Sequence, residues 1–274
     1  MKTSHFATLL FYLLTLSVPC YTDTNIQTSL QCSEADESAL EMAFQTNLRN
    51  LFDSLVSNVP LQQGFYKTRT GKKSGRVYGL IQCRGDVSAD HCSNCTKNSI
   101  TVALEKCPKS KEVLVWFRWC FLRYSDSDFF GVMEQTSIVL TNDTDFDDPS
   151  VVSKGLDLMN GLTFSVQNQP LVFQTAELDV GPSGKRYGMV QCNRDISRSD
   201  CVKCLESQLG AFRMMVGTKR GWEVYGSSCF MWYHDYQFYF NISTIASAGV
   251  MRPSSHKGTA IGLIIAVIAF LMVL

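Results

Sequence analysis

The sequence predicts an α+β fold in two tandem copies, each with two helices packed on an antiparallel sheet and stapled by disulfides. Three observations carry that prediction. Ten of the eleven cysteines fall into two sets related by a constant offset. Each set sits among one helical stripe, strand-like runs and a second helical stripe. Both chain ends carry apolar segments of the secretory and membrane-attachment kind. At 274 residues the chain has room for about two compact domains. Its 25 basic and 25 acidic side chains cancel, which argues against nucleic acid as a partner.

Lys2, an apolar stretch over 6–18 and then Pro19, Cys20, Tyr21 and Thr22 read as a signal peptide over residues 1–22. Its removal takes Cys20 and leaves an even ten. Adding 109 to Cys83, Cys92, Cys95 and Cys120 gives Cys192, Cys201, Cys204 and Cys229, so the first domain is assigned to 24–137 and the second to 138–246. The surrounding words recur as well, with Gln82-Cys83 answered by Gln191-Cys192. Cys32 and Cys107 have no counterpart, since the same offset lands on Thr141 and Val216. Their joint loss argues that they are partners, because losing one alone would strand a reactive thiol. The other four in each copy then pair among themselves. Zinc is the competing use of two C-x2-C words, but an oxidising secretory compartment favours disulfides.

Within the first copy, Ser33 and Asp36 look like a capping box. Leu40, Phe44, Leu48, Leu51 and Leu55 follow at helical spacing up to Pro60, predicting about six turns. Residues 64–70 and 77–83 read as strands. A helix from near Ser88 to near Lys106 places Cys92 and Cys95 on one face. Residues 113–124 read as one long central strand, with Val115, Phe117, Trp119 and Phe121 on one face and Leu114, Trp116 and Cys120 on the other. In the second copy Asp148 caps, Pro149 suits the first helical position, and Val152, Leu156, Met159 and Val166 make the stripe. Residues 133–140 leave little linker. The second copy, lacking the long staple, is expected to lean on the first through a packed interface.

A polar spacer over 247–259 precedes an apolar run over 260–274. Fifteen helical residues span roughly 22 Å, short of a ~30 Å bilayer core. With small residues at 247–249, the segment reads as a glycolipid attachment signal with Ser247 as the anchor site, the alternative being a short transmembrane helix without a cytoplasmic tail. His91 and His234 have no nucleophile or acidic partner at recognisable spacing and read as surface histidines; no catalytic residue and no cofactor are predicted. Lys67, Arg69, Lys72, Lys73 and Arg76 form a basic hairpin, read as a solvated turn, whose functional alternative is contact with acidic wall polysaccharide or anionic lipid. The aromatic cluster Trp232, Tyr233, Tyr236, Phe238, Tyr239 and Phe240 reads as core or interdomain packing. Asn142 and Asn241 are the expected glycosylation sites, with Asn94 a weaker one between two paired cysteines.

The C-x8-C-x2-C word, Gln-Cys before it and a further cysteine 25 residues after the last resemble the ginkbilobin-homologous domain of plants over nearly the whole mature chain. The resemblance implies Cys83 with Cys92, Cys95 with Cys120, Cys192 with Cys201 and Cys204 with Cys229, and it agrees on Cys32 with Cys107. In that family mannose is held by an Asn beside the first cysteine, an Arg before the last and a Glu after it. The matching positions here are Ser33, Leu114 and Ser125, then Asn142, Glu223 and His234, which argues against mannose binding. The best-known members carry a kinase after two such domains, and no kinase word occurs here. Two domains with a membrane-attachment segment resemble plasmodesmata-located and cysteine-rich repeat secretory proteins. That likeness implies a non-enzymatic cell-surface protein of plasmodesmata modulating cell-to-cell movement. Its implied partners are the membrane, wall polysaccharide, other family members or viral movement proteins. The rival expectation is an apoplastic carbohydrate-binding or defence module.

Overall fold

The computed structural model describes residues 24–34, 42–72, 75–141, 146–215 and 217–240. The signal peptide, Asp36, Leu40, Lys73, Asn142, Asn241, Ser247, the spacer and the C-terminal apolar run lie outside them. Among the described residues no helix is long and apolar enough to cross a membrane.

The first copy runs β1 (Gln27–Cys32), α1 (Met42–Asn58), β2 (Phe65–Thr70), β3 (Val77–Cys83), α2 (Ala89–Lys106), β4 (Val113–Phe117) and β5 (Cys120–Ser125). The second repeats it as β6 (Ser137–Thr141), α3 (Pro149–Ser165), β7 (Phe173–Asp179), β8 (Lys185–Cys192), α4 (Arg198–Met215), β9 (Trp222–Gly226) and β10 (Cys229–His234). The sheets have the same antiparallel order, β1-β4-β5-β3-β2 and β6-β9-β10-β8-β7. Two helices cover one face of each sheet, so the fold class is α+β as read from the sequence.

Disulfides join Cys32–Cys107, Cys83–Cys92, Cys95–Cys120, Cys192–Cys201 and Cys204–Cys229. The second helix of each copy is therefore bonded to β3 and β5, or to β8 and β10, at cysteines three residues apart on one helical face. Both helices start alike: the Ser88 hydroxyl accepts from the His91 N–H at 3.3 Å, and the Ser197 hydroxyl from the Asp200 N–H at 3.0 Å.

Five details differ from the sequence reading. Residues 113–124 are a hairpin, not one strand. The two-residue turn at Arg118 and Trp119 contains no Gly, Pro, Asn or Asp to announce it. The turn also exchanges odd and even positions. Val115 and Phe117 share the helix-side core with Cys120 and Leu122, whereas Leu114 and Trp116 share the opposite face with Phe121. α1 is described from Met42 to Asn58, and its expected start lies outside the described residues; Ser33 is tied elsewhere, its hydroxyl accepting from the backbone N–H of Lys111 and Glu112 at 3.1 and 3.2 Å. In α3 the buried residues are Val151, Gly155, Met159, Leu162 and Thr163; Met159 and Val166 are buried as expected, while Val151 and Gly155 take the places expected of the half-buried Val152 and Leu156. Gly155 belongs to this set because a Cβ there would stand 2.4 Å from the Tyr233 hydroxyl. Finally, β1 and β6 are edge strands the sequence did not announce, and β6 takes up half of the supposed linker.

Helix-side cores fill each copy, and a third cluster joins the copies. It consists of Tyr78, Leu80, Leu114, Trp116, Phe121 and Phe129 of the first copy against Phe173, Met189, Tyr225, Phe230, Trp232 and Phe238 of the second. The two sheets thus pack back to back, giving the layers helix, sheet, sheet, helix.

Candidate functional site

Where the sheets meet, their Gln-Cys words clasp each other. Gln82 Nε2 donates to the Cys192 carbonyl at 2.7 Å, and Gln82 Oε1 accepts from the Arg194 N–H at 2.8 Å. Gln191 Nε2 donates to the Cys83 carbonyl at 3.0 Å, and its Oε1 accepts from the Gly85 N–H at 2.9 Å. Every partner is the other's counterpart at the offset of 109, so the contact is a local twofold. Repetition of Gln-Cys was legible in the sequence; that the two words face each other was not.

One rim of this interface holds the charged site. Arg118, at the tip of the β4–β5 turn, reaches Glu223 of β9 with Nη2–Oε1 at 2.6 Å. His234 of β10 places Nε2 at 2.9 Å from the same oxygen, and the Tyr225 hydroxyl donates to Oε2 at 2.5 Å. Burial alone would raise the Glu223 carboxyl; the His234 hydrogen bond and charge, Arg118 and Tyr225 outweigh it and hold the group below the usual carboxylate range. Burial, reinforced by the Glu223 charge, pushes the Tyr225 hydroxyl well up, so it keeps the proton it donates. Burial opposes the Arg118 charge, but Glu223 and Tyr236 raise its pKa overall.

Arg118, Glu223 and His234 line a cleft of about 230 Å3 with Leu140, Thr141 and Gly221. Tyr236, 38% exposed, stands over His234 with ring centroids 4.7 Å apart. Both Glu223 oxygens are engaged, one by Arg118 and His234 and the other by Tyr225, and Thr141 is part of the lining.

Sequence reasoning placed His234 on the surface without an acidic partner. It is buried, and its partner lies eleven positions back across the β9–β10 hairpin. The alternation of Glu223, Tyr225, Trp232 and His234 on one hairpin face was the available signal; the Ser227-Ser228 turn was too plain to reveal it. Arg118 comes from the other copy, and no spacing pointed to it. His91 is exposed and stacks on Trp119 at 4.6 Å.

The positions matching the family's mannose contacts behave differently in the two copies. In the first, Ser33 is bonded to the chain near β4, Leu114 lies in the interdomain cluster, and the buried Ser125 hydroxyl accepts from the Ser127 N–H. In the second, Glu223 and His234 meet in the cleft beside Thr141. Asn94 is exposed on α2, while Thr96 of the same sequon is buried with its hydroxyl donating to the Cys92 carbonyl.

The sequence profile of the salt stress response/antifungal family matches residues 31–127 and 142–236. An antimicrobial ginkbilobin-2-like protein of Castanea crenata is 32% identical, covering 87% of this chain and 99% of its own length. Cysteine-rich repeat secretory protein 38 of Arabidopsis thaliana is 33% identical over 76% of this chain and 84% of its own. The crystal structure of the tandem ectodomain of the Arabidopsis thaliana cysteine-rich receptor-like protein PDLP5 superposes with a TM-score of 0.63 at 26% identity, covering 78% of this chain and all of that one. The secretory and ectodomain descriptions of these relatives fit an extracellular, cysteine-rich module.

Proposed function

Because the chain belongs to the salt stress response/antifungal family, we propose that it is a non-enzymatic cell-surface protein of the plasmodesmata-located type, modulating cell-to-cell trafficking through plasmodesmata. The supporting observation is the back-to-back joining of the two copies into one body, together with its likeness to the PDLP5 ectodomain. Such a body offers outer surfaces to partners. In this reading Asn142 and Asn241 carry glycans, and the C-terminal apolar run holds the ectodomain at the outer membrane face through a glycolipid on Ser247. A fluorescent fusion placed after the signal peptide tests it: punctate foci across the wall are expected, and a uniform membrane signal overturns it. Phosphatidylinositol-specific phospholipase should release the protein, and resistance would remove the glycolipid anchor.

The Arg118–Glu223–His234 cleft favours a second reading, an apoplastic carbohydrate-binding or defence module. Guanidinium and imidazole donors beside an exposed tyrosine ring suit a polyhydroxyl ligand. A glycan array with the tandem ectodomain, repeated with Arg118→Ala, separates this reading from the first.

A further inference from the structure

Strand β2 and its turn gather cations that, among the described residues, meet no carboxylate. Lys67 and Arg69 alternate along β2, opposite Leu80 and Tyr78 of β3; Lys72 follows in the turn and Arg76 precedes β3. Among the described residues none of these four forms an ion pair, whereas Arg84, Arg118, Arg123 and Arg186 all do. Lys67 instead sits 5.0 Å over the Phe130 ring, and Arg76 donates to the Tyr78 hydroxyl at 3.4 Å. Arg69 and Lys72 are exposed.

The second copy shows that the fold does not require this charge. Pairing of Phe65 with Gln82 and of Phe173 with Gln191 aligns β2 with β7 and puts Glu177 in the place of Arg69. Glu177 is bonded to Lys185 at 2.5 Å, so that edge is neutralised internally. The first copy's edge is left cationic, on a strand that no neighbouring strand covers.

We propose that the β2 edge binds a linear acidic polysaccharide, a chain of uronate carboxylates. Lys67 and Arg69 stand about 7 Å apart along the strand, and Lys72 and Arg76 continue the positive strip beyond its end. A line of charges matches a line of carboxylates rather than a point anion. Phe130, half-buried beside Lys67, supplies a ring surface against which a pyranose ring packs. A lipid surface fits less well, because no large apolar side chain on this strip is among the strongly exposed ones that would enter a bilayer.

The test uses the full extracellular chain and polygalacturonate, with the same polymer methyl-esterified as the neutral control. Binding to the acidic polymer is expected, lost on esterification and weakened about tenfold or more between about 50 and 300 mM salt. Lys67→Gln, Arg69→Gln and Lys72→Gln together are expected to lower affinity at least about tenfold with an unchanged melting temperature, while Lys203→Gln on the second copy leaves it intact. Equal binding of both polymers, no binding, retention by the triple variant, or preference for phosphatidylserine vesicles over polygalacturonate would each overturn the proposal. None of these outcomes bears on the localisation experiment.

Discussion

Gln82 and Gln191 each use both ends of one amide on the opposite copy, and both are buried. Truncation leaves a carbonyl and an N–H unpaired in the interface, at a cost of about 1–3 kcal/mol for each buried group stranded. Gln82→Ala and Gln191→Ala are each expected to destabilise the ectodomain by about 2 kcal/mol in denaturant titrations, whereas an exposed substitution such as Gln63→Ala should do little. At Glu223 the folded carboxyl is held below its ordinary value. Its contribution is therefore fully present above the unfolded value of about 4.3 and is lost as pH falls through the lower folded value. Melting temperatures recorded from pH 7 downward should fall below about pH 4.5 more steeply for the native chain than for Glu223→Gln; equal slopes would remove Glu223 from the acid response.

At the scale of elements, the copies differ in how they tie their ends. Cys32–Cys107 fastens the end of β1 to the end of α2 across 75 residues. The second copy has Thr141 where Cys32 stood. Near the corresponding end it carries Asp147, whose carboxylate holds Arg186 at 2.9 Å and Arg220 at 3.1 Å, linking the approach to α3 with β8 and with the segment that leads into β9. Replacing Cys32 and Cys107 together by Ser is expected to cost about 4 to 5 kcal/mol by loop entropy, measured by denaturant titration of the oxidised protein. The copies also differ where β3 and β8 end. A Cβ on Gly85 would stand 2.4 Å from the Phe173 ring, whereas its counterpart Arg194 lies over Phe65 at 5.0 Å. Gly85→Ala should therefore loosen the interface, lowering stability by about 1–3 kcal/mol. Helices α2 and α3 were legible because capping residues and apolar spacing are local. The β4–β5 turn was not, since its sequence carries no turn chemistry and a continuous apolar run reads equally as one strand.

For the whole molecule, the interface leads us to expect that the second copy depends on the first for stability. Expressed alone, residues 138–240 would expose Phe173, Met189, Tyr225, Phe230, Trp232 and Phe238 in one patch. A melting temperature well below that of the tandem chain, with self-association in sedimentation, is expected; equal melting temperatures would refute the dependence. By itself the sequence determined the duplication, the fold class, most helices and the sets of cysteines, because periodicity and spacing are properties of neighbours along a chain. Only the tertiary structure decided that the sheets stand back to back, that Gln82 and Gln191 face each other, and that Arg118 reaches across to Glu223, the partner of the supposedly solitary His234. Those contacts join residues about a hundred positions apart, and no local pattern records which faces of two separately plausible sheets will be buried together.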